Sequence, residues 1–547
     1  VVIAPLRRAV RPPTPPLALV EPSLHELADD LDEVAWLARD LSTRVVERGR
    51  ALVRARRHLH GDSLDEIEAH ARVLVASGDA IRRGARALRA DTRARRPTVE
   101  LLDGLTRERL ALADRVRTLA GIAAATIVAA EWQSPSFGHS VRPNAGTRTD
   151  LVRAHVDDYR RDRHTEAAAF ERAYLDAFAR GTEGLRALAT SCGMSAFVTI
   201  VTMLRDARRL ERVVLGASTY HECRDLLRAA VPASSLAVAD EASLPDVIRR
   251  VRPTAVVLDA LANAPGVAMA DLAAVARAVS SAGVDACLVV DTTGLPSMVP
   301  MPVPRDVRVI AFESLTKYAQ YGLDRVTAGM ILARGADADA LDAAREHLGA
   351  NIPDASVHAI ATPDRRRLGR RLARIGRNAE TLASRIAASS GGAIAGVDHP
   401  SLPDHPAYRL ALGRAFRGGW LALRFAPVRD RPETHERFVS LLLEEARARQ
   451  VPLVAGASFG LDVTRVYHTG ATARDATPFV RISPGIEHAL DVERLGQVLD
   501  AAASRLGADA AGSGSQTSSA TSATTSNPSP RGRISPTTVP IRSFNQR

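Results

Sequence analysis

Cysteine is scarce in this chain: Cys192, Cys223 and Cys287 are the three among 547 residues. Their wide spacing supports neither a disulfide framework nor a zinc pattern, which makes a reducing cytoplasm the default compartment. Aromatic side chains are scarce too, at 4% of residues, which argues against a nucleic-acid surface built on stacking. Long hydrophobic runs are missing. The least charged helical run, "LAGIAAATIVAA" at 119–130, is too short and alanine-rich to span a bilayer. The opening "VVIAPLRRAVRPPTPP" puts its apolar stretch before its arginines, the reverse of a secretory leader. Acid is absent from residues 1–16 and 512–547, and these arginine-bearing ends inflate a net charge of +11. Elsewhere arginine is mixed with acid along helices, so the charge reads as solvation rather than a nucleic-acid footprint.

What is present suits a globular protein with two or three cores: 46% apolar and 25% charged residues. Proline-rich residues 1–22 are expected to be disordered. Residues 23–132 read as a helical bundle or coiled-coil-like extension, with Leu24, Leu27, Leu31, Val34 and Leu37 or Leu41 on one stripe. It carries no legible chemistry. His58 and His60 stand near Asp62 at a spacing too loose for a ligand set, and no metal is expected. Residues 133–150 form a Ser/Pro/Gly/Asn linker.

From 151 to 335 the rhythm changes. The apolar runs "ERVVLGAS", "SLAVAD", "TAVVLDAL", "ACLVVDTT", "VRVIAFES" and "AGMILAR" alternate with helical segments. This predicts an α/β domain with a mostly parallel sheet covered on both faces. Residues 336–510 read as a smaller α+β domain containing "WLALRFAPV", "VPLVAGAS" and "PFVRISPG". A Ser/Thr/Pro/Gly tail, 511–547, is expected to be disordered.

Ligands of open parallel sheets gather at the carboxyl ends of strands. Four such places carry chemistry. "ATSCGMSAF" sets Ser191, Gly193 and Met194 at a helix start, where backbone N–H groups favour a phosphate. "LGASTYHE" offers Tyr220 as a flat cover. "CLVVDTTG" ends an apolar strand in Asp291, a carboxylate costly to bury without a cation. "FESLTKY" supplies Lys317 between hydroxyls. Each signal is commonplace alone, since such turns, caps and packed tyrosines abound. Together they match pyridoxal 5′-phosphate: an amine for its aldehyde, a helix start and hydroxyls for its phosphate, a carboxylate for its ring nitrogen and an aromatic face for its ring.

With these motifs in this order, residues 155–505 resemble the Cys/Met-metabolism, or trans-sulfuration, family of fold-type-I pyridoxal-phosphate enzymes, which includes cystathionine γ-synthase and methionine γ-lyase. "SCGM" resembles the family's Ser-Ser-Gly-Met phosphate loop, and "STYHECRDLL" the segment whose tyrosine, here Tyr220, stacks on the ring. "VVLDALANAPG" resembles Glu-Thr-x-x-Asn-Pro, implying Asn263 at the phenolic oxygen. "VVDTT" matches Val-Asp-Asn-Thr, implying Asp291 at the ring nitrogen with Thr293 beside it. "SLTKY" matches Ser-x-Thr-Lys-Tyr, implying Lys317 on the aldehyde and Ser314 with Thr316 on the phosphate; Asp324 holds the family's aspartate position. "DYRRDR" retains Tyr159 and Arg161, which in the family reach a neighbouring subunit's phosphate and so imply a homodimer or homotetramer. "RISPGIEHALD" implies Arg481 as the clamp for a substrate carboxylate, with Ser458 of "ASFG" beside it.

The family's His-Pro and Met-Thr-His segment after Ser458 is absent, and two further stretches depart from the family. "HTE" (His164, Thr165, Glu166) replaces Asn-Pro-Thr, and Val463 stands where a glutamate is usual. The departures fall on the substrate's side of the site. The implied activity is β/γ elimination or replacement on a sulfur-containing or O-acylated amino acid. The alternatives are another fold-type-I lyase or transferase acting on an unusual amino acid, or a non-catalytic nucleic-acid-associated scaffold.

Overall fold

The computed structural model describes residues 17–55, 61–131, 165–179, 184–283, 285–296, 307–389, 393–471 and 477–514. Tyr159, Arg161, His58, His60, His164 and the linker 133–150 lie outside them.

Three long helices come first: α1 (Val20–Ala55), α2 (Gly61–Ala94) and α3 (Val99–Glu131). The stripe expected on α1 is its buried face, with both Leu37 and Leu41 inside. Thr98 caps α3, its Oγ1 accepting the Leu101 N–H at 3.1 Å. Helical structure begins earlier than the sequence suggested. Leu17–Leu19 form a 3-10 turn, and Val20 and Ser23 are buried. Pro22 falls in the first helical turn, where a missing N–H costs nothing. The bundle is no free appendage: its apolar face belongs to the same buried cluster as residues of the large sheet.

That sheet has seven strands in the order β1-β7-β6-β5-β4-β2-β3. They are β1 (Leu185–Thr190), β2 (Val213–Gly216), β3 (Leu236–Ala239), β4 (Ala255–Asp259), β5 (Cys287–Asp291), β6 (Arg308–Ser314) and β7 (Gly329–Arg334). Strands β2 to β6 pair in parallel, while β7 runs antiparallel to both β1 and β6. The register sets Asp259 beside Asp291 at the carboxyl ends of adjacent strands. The helix Gly335–Leu348 buries Ala338, Leu341 and Ala344 against Phe197 and Ile331, so it packs on this sheet. The large domain therefore runs past 335. Composition turns helical at that point, but packing does not change layer.

The smaller sheet has the order β10-β11-β12-β9-β8, formed by β8 (Ile394–Asp398), β9 (Leu421–Phe425), β10 (Val454–Ala455), β11 (Arg465–Thr469) and β12 (Phe479–Ser483). The pairs Tyr467↔Arg481 and Arg481↔Ala422 put Tyr467, Thr469 and Arg481 on one face of it. The last helix, Ala489–Gly514, extends a few residues into the stretch expected to be tail.

Candidate active site

A cavity of about 460 Å³ lies where the parallel strands end against the small sheet. The helix Gly193–Asp206 opens into it. Cys192 is its N-cap, the Sγ accepting the Ser195 N–H at 3.3 Å. Gly193 is required by closeness: a Cβ there would sit 2.9 Å from that of Ser314. The Ser314 and Thr316 hydroxyls lie 2.6 Å apart on the same wall. Thr293 Oγ1 accepts the Ser314 N–H at 2.9 Å, and the Thr293 N–H donates to Asp291 Oδ1 at 2.8 Å. A helix start, a glycine and two hydroxyls thus form one anion cradle.

Beyond it stand two carboxylates, Asp259 buried and Asp291 half-buried. Burial raises Asp291 to about 6, and burial together with the Asp291 charge holds Asp259 well above the usual carboxylate range. Asp259 Oδ2 accepts the Tyr220 N–H at 3.1 Å, while Oδ1 has no partner. Tyr220 lines the cavity, its phenol pushed up by burial and by Glu222. Met194, also on the cavity lining, meets Cys223, the sulfurs 3.7 Å apart.

Lys317 follows β6 and reaches across the cavity, Nζ donating to Ser458 Oγ at 3.0 Å. Burial lowers its pKa to about 8, and the nearby Arg481 charge acts in the same direction. Lys317 is the chain's only lysine; every other one of its 73 Lys and Arg residues is arginine. Arginine does not lose its proton in proteins, so no other side chain can supply a neutral alkylamine. Arg481, from β12, is 4% exposed. It donates to Asn263 Oδ1 at 2.7 Å and to Ser458 O at 3.2 Å, and its Nε is unpartnered. Burial brings its pKa down to about 10. Phe459 lies between the two cations, its centroid 5.4 Å from Lys317 Nζ and 5.5 Å from the Arg481 guanidinium carbon.

The cavity therefore gathers Gly193, Met194, Tyr220, Asn263, Asp291 and Thr293 with Ser314, Thr316, Lys317, Ser458 and Arg481. Ser191 is not among its lining residues; its N–H donates to Ala350 O at 3.0 Å. Asp324 lies off the cavity, 2.8 Å from Arg465 Nη2. Sequence reasoning missed Asp259, Phe459, Trp420 and Tyr467 as lining residues. Asp259 had a signal, the same strand-end position as Asp291; the aromatics had none. Among the described residues no group of His, Cys, Asp and Glu is placed to hold a metal. None of the described helices is long and apolar enough to cross a membrane.

The residues present fit pyridoxal 5′-phosphate. The cradle suits its phosphate, Asp291 and the unpartnered Asp259 Oδ1 suit a protonated ring nitrogen, and one desolvated amine suits its aldehyde. The family model for Cys/Met metabolism PLP-dependent enzymes matches residues 151–495. The chain belongs to that family. Its fold is shared with solved family members of low identity. A cystathionine gamma-synthase from Xanthomonas oryzae pv. oryzae is 22% identical, with TM-score 0.52, over 64% of this chain and 87% of that one. A methionine gamma-lyase from Micromonospora echinospora is 20% identical, with TM-score 0.51, over 63% and 87%. A yeast cystathionine gamma-lyase is 22% identical, with TM-score 0.51, over 64% and 88%. The bifunctional enzyme flvA of Aspergillus flavus is 26% identical over 314 residues, 55% of this family member and 37% of flvA. The chain thus spans little more than a third of that relative.

Proposed function

We propose that this chain catalyses β/γ elimination or replacement on a sulfur-containing or O-acylated amino acid, as a PLP-dependent lyase or transferase of trans-sulfuration type. One observation carries the reading: the sole lysine, shifted toward neutrality, lines one cavity with the Asp291 carboxylate and the buried Arg481 guanidinium, whose hydrogen bonds go to neutral oxygens.

Gly193, Ser314 and Thr316 would hold the cofactor phosphate, Asp291 the proton on its ring nitrogen, Asn263 its phenolic oxygen and Tyr220 one face of its ring. When bound, the cofactor supplies an aldehyde for amines and a ring that accepts electrons from the substrate α-carbon. Arg481 binds the substrate carboxylate. Its fork is occupied by neutral oxygens, Asn263 Oδ1 and Ser458 O, which a carboxylate displaces at a gain in charge complementarity. With the carboxylate fixed, the α-proton faces Lys317. A pKa of about 8 leaves part of the amine neutral at pH 7–8, able to take that proton and return it further along the chain. Ser458 steers the amine, and Tyr220 and Phe459 exclude water. The chain acts as a cytoplasmic homodimer or homotetramer, with Tyr159 and Arg161 serving a neighbouring subunit's phosphate.

A second reading, a lyase or transferase for an unusual amino acid, is favoured by the aromatic wall of Phe459, Trp420 and Tyr467. Turnover of cystathionine, O-acylated homoserine or methionine, read as keto acid and ammonia, selects the first; turnover of none selects the second. Lys317→Ala is expected to lose the pyridoxyl mass that borohydride fixes on the 317 peptide, with activity down more than about a thousandfold. Retention of either would remove the assignment.

A further inference from the structure

The bundle lies ahead of the matched residues 151–495, and no chemistry is legible in it. Yet part of its contact surface reaches the two loops that meet at Lys317. The first is the turn after the lysine. Tyr321 packs edge-on against Trp36 of α1 at 5.0 Å, and Arg117 of α3 donates to Gly322 O through Nε and Nη2, both at 3.1 Å. The second is the loop after Ser458. Asp462 lies 3.1 Å from Arg109 Nη1 and 3.1 Å from Arg117 Nη2, both from α3. These two arginines are eight residues apart and so share a helix face. Arg371, on the helix Arg365–Ser389, donates to Asp462 Oδ1 at 2.6 Å and to Glu33 of α1 at 2.8 Å. Its Nη2 also reaches Gly460 O at 3.3 Å.

The loops touch closely. Gly460 has φ +79, and a Cβ there would lie 2.7 Å from the Tyr318 ring. Gly322 has φ +78, and its Cβ would collide with the Asp462 carboxylate. Only glycine fits either position. At the meeting point Ser458 takes a hydrogen bond from Lys317 Nζ and, through its carbonyl, one from Arg481.

We propose that the N-terminal bundle is part of the catalytic apparatus: Arg117, with Arg109 and Arg371, positions residues 318–322 and 458–462 so that Ser458 holds Lys317 and Arg481 in register. Arg117 and Asp462 are positioning residues, acting through Ser458. The proposal rests on the reading of Lys317 given above. It makes residues 20–131 necessary for an aligned site, over and above their share of the hydrophobic core.

Arg117 gives the informative variant. Its side chain is 19% exposed, and truncating it leaves Asp462 paired with Arg109 and Arg371. The control is Asp103→Asn, which breaks an α3-to-body ion pair with Arg494, at 2.7 Å, away from both loops. Hydrogen exchange is followed in the full-length protein at 318–324 and 457–464. Attachment of pyridoxal 5′-phosphate to Lys317 is followed against pH by borohydride trapping. For Arg117→Ala we expect exchange at least about tenfold faster in both loops, attachment several-fold slower, and its pH midpoint moved upward as water reaches the amine. Arg117→Lys should recover part of the exchange protection, and Asp103→Asn should leave both loops as they were. Should Arg117→Ala not fold, Arg117→Gln keeps a donor for Gly322 O, loses the charge facing Asp462 and carries the same expectation. Unchanged exchange and attachment in the arginine variants overturn the proposal. So does Asp103→Asn loosening the same loops equally, because docking in general would then be the cause. Absence of pyridoxyl mass at 317 in the parent protein removes the reading of the cavity instead, and the exchange data still judge the bundle's hold on the loops.

Discussion

Two charge clusters lie close together in this molecule, and their central carboxylates shift in opposite directions. Around Asp462, Arg109, Arg117 and Arg371 supply opposite charge directly, while burial still raises the neighbouring Glu33 and Asp30. The Arg109, Arg371 and Arg117 charges outweigh burial and hold the Asp462 carboxyl far below the usual range, while Arg109 and Arg371 are raised. Across the cavity wall, the buried Asp259 and the half-buried Asp291 are both raised, and Lys317 and Arg481 are lowered. Burial is common to both clusters and the partners differ. A cluster that holds loops in place finds its counter-charges within the chain. A cluster that awaits a charged ligand is left unbalanced, and its shifted groups record what is missing.

The largest effect should come from breaking the compensated cluster. Asp462→Asn leaves three arginines facing a neutral amide and is expected to cost about 3–5 kcal/mol in a denaturant melt near neutral pH. Because the folded-state pKa of Asp462 is depressed, this contribution is present above the ordinary carboxylate range and fades as pH falls below about 4. The gap between parent and variant should close in the same interval. Equal stability at pH 7 would erase the comparison.

The unbalanced cluster should show the opposite sign. In the cofactor-free protein, Asp291 binds its proton up to about pH 6, well above its unfolded value, so its ionisation destabilises the fold as pH rises from about 4 to 6. Asp291→Asn should therefore be more stable than the parent by about 2 kcal/mol at pH 8 and no more stable at pH 4, measured without cofactor. Bound cofactor should remove the advantage. A variant that loses stability at pH 8 would show the carboxylate to be satisfied already.

Lys317 sharpens the contrast from the cation side. Its depressed pKa predicts that reductive pyridoxylation of the apoprotein rises through a midpoint near pH 8 rather than above 10. The smallest effect is expected at a solvated pair. Arg385 and Asp500, 2.8 Å apart and each more than a quarter exposed, should yield under about 1 kcal/mol on Asp500→Asn.

Much of this arrangement was legible in sequence where one strand or one turn carries it. The strands β4 and β5 are buried on both faces and read as unbroken apolar runs that end in Asp259 and Asp291, while β6 carries the apolar run Val309–Phe312 ahead of Glu313 and Ser314. The edge strand β1, "LRALAT", mixes arginine and alanine and carries no strand signal; β8 is broken by Gly396 and β11 holds Tyr467 and His468. The anion cradle, the carboxylate and the lysine follow strands directly, so their chain order survives in the fold. Lys317 had a plainer signal than its motif: it is the one lysine in the whole composition. The Asp462 cluster could not be read this way. Arg117 meets a carboxylate 345 residues away, and nothing local marks either as a partner of the other. Nor did helical periodicity say that α1 to α3 would share a core with the large sheet.

The solitary lysine also turns the protein into its own reporter. An endoprotease that cuts only after lysine has a single target in the sequence, the bond between residues 317 and 318, and Tyr318 is buried in the folded chain. Cleavage into two fragments therefore counts openings of the site itself, with no label attached and no substrate named.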